Sequence, residues 1–186
     1  MPVLKINSLT EKDLILACIE GDRNSQQEIY QRYAGKLLAV CRRYARHEME
    51  AEDFFHDGFV KIFGNLNQFK FNGSFEGWMR RIMVNTALKK RSKKAFQNES
   101  IGMEDYVEDS ILPDVVAKLS ADEILNIIAE LPEGYQTVFN LYVIEGYSHK
   151  EIGDMLEIGE STSRSQLVKA RRILQKRVIE IQKIAV

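Results

Sequence analysis

Arg164, Ser165 and Lys169 stand among Ser161, Thr162 and Ser163 at the start of a basic run, a mixture of residue types suited to nucleic acid. Guanidinium and ammonium groups can pair with phosphates or with the acceptor edge of guanine, while small hydroxyls permit close approach to a backbone. The neighbouring residues indicate how this group is held. Ser148 followed by Glu151 forms a capping box that starts one helix. Ile152, Met155 and Leu156 recur at helical spacing, Gly153 between them lets another helix come close, and Glu157, Ile158 and Gly159 form a turn. From Glu160 a second helix places Leu167, Ala170, Ile173, Leu174, Val178 and Ile181 on an apolar face, with Arg164, Lys169, Arg171, Arg172, Lys176 and Arg177 largely off it. The segment therefore reads as a helix-turn-helix with a basic outer side. Periodicity alone fits an ordinary amphipathic hairpin with solvated charges equally well, and it is the Ser/Thr cluster around Arg164 that favours DNA.

Elsewhere the chain has no catalytic base geometry, metal-ligand spacing, Gly-rich phosphate loop or nucleophile elbow, so neither an enzyme nor a small-molecule substrate is expected. The two cysteines, Cys18 and Cys41, lie in separate apolar-periodic stretches. They are expected to be buried free thiols in a reducing cytoplasm, without a disulfide, metal site or other cofactor. No apolar run fits a signal peptide or a membrane span, so a cytoplasmic protein without membrane insertion is expected.

With 186 residues, 45% of them hydrophobic, the chain can build one ordinary domain or two small ones. Its formal charge of −1, from 26 Lys and Arg against 27 Asp and Glu, is unevenly spread. Between Gly77 and Gln97 lie Arg80, Arg81, Lys89, Lys90, Arg91, Lys93 and Lys94 with no acid. Between Ala95 and Ala117 lie Glu99, Glu104, Asp105, Glu108, Asp109 and Asp114 with no base. Thr10 and Asp13 cap a first short helix through Glu20, and Gly21-Asp22 breaks it before an amphipathic helix from about Ser25 to His47. A third helix from about Glu50 to Asn65 carries Phe54, Phe55, Phe59, Ile62 and Phe63, more than one narrow buried stripe absorbs, which leaves some of the aromatics available to face a partner. Asn67 to Ser74 reads as a loop turning at Asn72-Gly73, and a fourth helix runs from Ser74 to about Lys94. The acidic stretch, with Gly102 and Pro113, reads as a linker. Ser120 with Glu123 caps a helix through Glu130, Leu131-Pro132 ends it, and Glu133 to Glu145 forms the next. The expectation is an all-α chain of two small helical domains, residues 1–95 and 120–186, joined by a flexible acidic linker at 96–119.

Two blocks then carry a resemblance. AEDFFHDGFVKIFGNL (Ala51 to Leu66) with FNGSFEGWMRRIMVNTAL (Phe71 to Leu88) resembles sigma region two, and LPEGYQTVFNLYVIEGYSHKEIGDMLEIGESTSRSQLVKARRIL (Leu131 to Leu174) resembles region four. In that order and spacing the chain resembles a sigma factor of the extracytoplasmic-function group, the promoter-specificity subunits of bacterial RNA polymerase. The resemblance implies that the Ala51 to Leu66 helix docks on core RNA polymerase through Asp53, His56 and Asp57. It also implies that the loop with Asn67, Phe71, Asn72 and Ser74 receives a flipped base of the downstream promoter element, with Arg80, Arg81 and Asn85 on its bases or backbone. Arg164, Ser165 and Lys169 would read the upstream element in the major groove, Ser148 would offer its helix start to a phosphate, and Arg171 and Arg172 are either phosphate contacts or solvated charges. Phe75 and Trp78 fit core packing as well as base capture. An anti-sigma protein is a further partner implied by the family.

Departures from the pattern are His56 for a usual glutamine, Lys89 for a frequent aspartate, Glu157 where the turn often has glycine, and Gly159 for a common serine cap. A helix-turn-helix regulator that binds a duplex operator without polymerase is the main alternative, but it leaves the basic, aromatic first domain unexplained. For the linker, mimicry of RNA charge in a channel of the polymerase and a solvated tether both remain open.

Overall fold

The computed structural model describes residues 10–90 and 120–184, and among these every regular element is helical, with no strand. The chain separates into two compact units, Met1–Lys90 and Arg91–Val186, each closing its own core. Residues 96–119, with the linker expectations, lie outside the described residues.

The first unit holds α1 (Glu11–Ile19), α2 (Arg23–Arg42), α3 (Glu48–Gly64), a 3-10 turn (Leu66–Gln68) and α4 (Phe75–Lys90). Thr10 and Asp13 form the expected capping box: the Thr10 amide and hydroxyl donate to the Asp13 carboxylate at 3.1 and 2.6 Å, and the Asp13 amide donates back at 3.2 Å. Gly21, at φ +89°, ends α1, and Asp22 at once caps α2 by accepting from the Ser25 amide at 2.7 Å. The break is therefore also a start, and α2 begins earlier than its apolar pattern indicates. It also stops at Arg42 rather than His47, because His47 Nδ1 accepts from the Glu50 amide at 3.2 Å and so caps α3.

Ile29, Leu37, Tyr44, Phe54, Ile62, Phe75, Met79 and Met83 are fully buried between these helices. Helices α3 and α4 approach so closely at Gly58 that a Cβ there would lie 2.1 Å from Met83 Sδ. Beside that crossing Lys61 Nζ donates to Thr86 Oγ1 at 3.0 Å, and this hydroxyl donates to the Ile82 carbonyl at 2.8 Å. Cys18 and Cys41 are buried free thiols, pushed up to about 11 and about 12 respectively, chiefly by burial, so both stay protonated.

The second unit holds α5 (Ala121–Ala129), α6 (Glu133–Phe139), a π turn (Asn140–Ile144), α7 (His149–Leu156) and α8 (Glu160–Ile184). Capping boxes at Ser120/Glu123 and Ser148/Glu151 start α5 and α7 where the sequence places them. The single helix expected from Glu133 to Glu145 is instead α6 continued by the π turn, in which the Glu145 amide reaches back to the Asn140 carbonyl at 3.0 Å. This wider turn coincides with a fully buried Asn140 and carries Tyr142 and Val143 to the surface. Ile127, Ile128, Leu131, Ala170, Leu174 and Val178 form the core, with Ile124, Tyr135, Phe139 and Ile181 packed against it. Ile173 departs from the expected apolar face. The buried stripe of α8 runs through Ala170, Leu174 and Val178 at four-residue intervals, which leaves Ile173 beside it and 39% exposed.

The turn between α7 and α8 is drawn tightly onto Gly153. The amides of Glu157 and Ile158 both donate to the Gly153 carbonyl, the latter at 3.0 Å, and Glu157 takes the left-handed conformation at φ 57° and ψ 42°. A Cβ on Gly153 would stand 2.9 Å from the Ile158 carbonyl oxygen and 3.6 Å from the Glu160 amide nitrogen, so this glycine admits the backbone of its own turn together with the first residue of α8. Gly153→Val should lower the stability of the second unit by roughly 1–3 kcal/mol through overpacking. Hydrogen exchange of the α7 and α8 amides would measure this, and fluorescence of Trp78, the only tryptophan, should report an unchanged first unit.

Candidate nucleic-acid interface

The outward side of α8 is set by what its inward side buries. Ser163, Gln166, Leu167, Ala170, Leu174 and Val178 face the interior, which turns Arg164, Arg171, Arg172 and Lys176 to solvent. No acid lies in α8 between Glu160 and Glu180, so this face has one sign of charge over several turns. Arg164 pairs with Glu160 one turn earlier, and Arg177 is drawn off the basic track by Glu130 at 2.8 Å and Glu180 at 3.1 Å. Ser165 and Lys169 are half-buried at the edge of the face. The Ser165 hydroxyl donates to the Thr162 carbonyl at 3.0 Å, and the Lys169 ammonium lies 6.0 Å from the centroid of the Tyr135 ring.

Ser163 corrects the reading of the polar cluster as one outward group. It is fully buried, and its hydroxyl is 2.9 Å from Nδ1 of His149, the first residue of α7. The His149 ring stacks on Tyr142 at 4.4 Å and 19°, so one side chain ties α7, the π turn and α8 together. Periodicity could not signal this contact, because it joins three elements. Ser148 remains exposed, with its amide and hydroxyl both donating to the Glu151 carboxylate at 2.8 Å.

Burial, then the positive charges of Arg164 and Arg171, hold His149 below the ordinary histidine value, with Glu160 opposing them. A depressed pKa means that the unfolded chain binds the proton more readily. The stability this group contributes is therefore fully present above about pH 6.5 and is lost as pH falls through the folded value. The unfolding midpoint of the second unit should drop between about pH 7 and 5, and His149→Asn should flatten that drop in a urea titration followed by circular dichroism.

In the first unit Asp53, His56 and Asp57 share one side of α3. Asp53 and His56 are exposed, whereas the half-buried Asp57 lies 2.6 Å from the Lys90 ammonium, whose hydrogen bond holds its carboxyl below the usual range. Met49 and Val60, 74% and 73% exposed, extend the same stripe in both directions. Most of the aromatic excess of α3 turns inward: Phe54, Phe55 and Phe59 are buried, with only Phe63 half-exposed beside Phe59.

Asn67, within the Leu66–Gln68 turn, and Phe71, Asn72 and Ser74, on the loop before α4, are all exposed. The Ser74 hydroxyl accepts from the Gly77 amide at 3.2 Å, so it also caps the helix. Phe75 is buried and Trp78 half-buried, and both pack on Phe69, a residue the sequence did not mark. Phe71, at φ 57°, lies 5.0 Å from the Phe69 ring and is 39% exposed. Arg81, Asn85 and Lys89 follow at four-residue intervals along the exposed side of α4, with Arg80 half-buried next to them. Arg91, Lys93 and Lys94 lie outside the described residues. Among the described residues no cluster of His, Cys, Asp and Glu could hold a metal ion, and no helix is long and apolar enough to cross a membrane.

Residues 29–97 match the family model described as Sigma-70 region 2, and residues 121–174 match Sigma-70, region 4. The chain belongs to the sigma-70 family, in its extracytoplasmic-function group. It is 29% identical over 174 residues to the ECF RNA polymerase sigma factor SigW of Bacillus subtilis, covering 87% of this chain and 93% of that protein. Identity to the ECF RNA polymerase sigma-E factor of Haemophilus influenzae is 25% over 182 residues, with 91% and 96% covered. The fold is similar to that of the sigma factor RpoE of Bartonella quintana, solved with the anti-sigma factor NepR, at a TM-score of 0.50, 16% identity, and coverage of 83% of this chain and 96% of that one. This sigma factor thus carries the family's helix-turn-helix in its second unit, and its work is DNA binding in transcription initiation.

Proposed function

We propose that this sigma factor binds core RNA polymerase and recognises a promoter by two different chemistries, reading the upstream element as duplex and the downstream element as a melted strand. The acid-free basic face of α8 carries this reading, because a helix with one buried side and one cationic side can enter a major groove with its arginines forward. Arg164 and Lys169 are the base readers, with Ser165 beside them, while Arg171, Arg172 and the Ser148 helix start hold phosphates. In the first domain, residues 1–95, the stripe of Asp53, His56 and Asp57 docks on polymerase. The exposed loop with Asn67, Phe71, Asn72 and Ser74 takes an unstacked base, and Arg80, Arg81 and Asn85 follow the strand. Residues 96–119 join this domain to the second, 120–186. The factor works in the cytoplasm, supplies no catalytic step of its own, and is held in reserve by an anti-sigma protein. The last point is supported by the solved relative from Bartonella quintana, which is in complex with one.

The purified chain should form open complexes with core polymerase on a promoter library. Tight operator binding by the free protein, with no polymerase association, would instead establish a conventional regulator. Arg164→Ala and Lys169→Ala should change which upstream sequences are selected, by about tenfold in preference per lost base contact. Arg172→Ala should weaken all promoters alike and reduce the salt dependence of binding. Sequencing of transcripts from a randomised upstream element separates the two outcomes.

A further inference from the structure

Helix α1 lies before residue 29, where the region 2 match begins, yet it packs against the Leu66–Gln68 turn that leads into the exposed loop. From its first turn Lys12 reaches that loop, with its ammonium 5.7 Å from the centroid of the Phe71 ring. Both residues are exposed. The carboxylates beside Lys12 in sequence take their hydrogen bonds elsewhere, Glu11 from the Tyr33 hydroxyl and Asp13 from the Thr10 amide and hydroxyl, and the charge of Lys12 acts on Asp13 only as the last of several influences on that carboxyl. Phe71 meanwhile is kept at φ 57°, a conformation that costs a non-glycine residue about 1–2 kcal/mol and here leaves a phenyl ring at the surface. One side of that ring packs on Phe69, and the other side is left to solvent and Lys12. A cation poised over an exposed aromatic ring is an arrangement that suits a nucleotide, whose base can lie on apolar surface while its phosphate meets the charge.

We infer that Lys12 of α1 and Phe71 form one subsite for single-stranded DNA, in which Lys12 binds the phosphodiester flanking the base held at the loop. The inference rests on the reading of that loop as the strand-capture site, and it adds a contact from a helix that the region 2 match does not include.

The test uses holoenzyme reconstituted with core polymerase and a fluorescent single strand chosen from a random pool by the wild-type holoenzyme. Lys12→Met, which keeps the stem and removes the charge, should weaken binding about fivefold at 0.1 M salt and reduce the slope of log affinity against log salt by about 0.7, the value for one single-strand phosphate contact. Lys12→Arg should restore both. Unchanged affinity in Lys12→Met, or a loss with an unchanged slope, overturns the assignment, because mere support of the Phe71 ring would not alter counterion release. Asn72→Ala is measured in parallel. If it weakens the strand and Lys12→Met does not, only the Lys12 subsite falls; if neither weakens it, the loop reading falls as well.

Discussion

A recognition helix can present one face only if the opposite face cannot turn, and in the second unit that condition begins at Gly153. The carbonyl of Ile158 occupies the space in which any other residue at 153 would place its Cβ. The turn therefore folds directly onto α7, and α8 leaves at an angle fixed by backbone contact rather than by flexible side chains. Everything on α8 follows from that start. Ser163 arrives under His149, Ala170 and Leu174 reach the core, and the arginines are left outside. The left-handed Glu157 is the conformational cost of so short a connection, one that glycine would not incur.

The first unit solves the same problem with larger parts. Its helices cross at Gly58 against a buried methionine, and ion pairs between them, such as Asp57 with Lys90 and Lys36 with Glu76, lie at the edges. Exposed ion pairs of this kind contribute little to stability, so the aromatic and aliphatic core carries the fold. The pairing of Asp57 with Lys90 has a second effect, since it occupies one of the acids on the candidate docking side of α3 and one of the bases at the end of α4. The charge on each surface therefore depends on contacts between helices and cannot be read from a count of residues along one.

Local rules made much of this legible in the sequence. The capping boxes at Thr10, Ser120 and Ser148 involve residues three apart and need no tertiary information, and each lies where the sequence puts it. The buried thiols and, apart from Ile173, the core stripe of α8 follow from periodicity in the same way. What escaped was set by packing. Nothing in the residues from Glu133 to Glu145 announces a π turn, because no breaker marks it and it begins at an Asn140 whose burial is a matter of packing. Ser163 looked like its neighbours until the His149 ring was placed above it, and Lys12 gains meaning only through a phenylalanine far along the chain.

Each unit buries its own core, and this bears on how such a protein can change over evolutionary time. A substitution on the outer face of α8 leaves the aromatic cluster around Phe69 and Trp78 untouched, and a change in the loop at Phe71 does not disturb the hold of Gly153 on its turn. Two surfaces that draw on separate cores can drift separately. On the proposed reading, a lineage can thus alter one half of an address while the other half continues to be read.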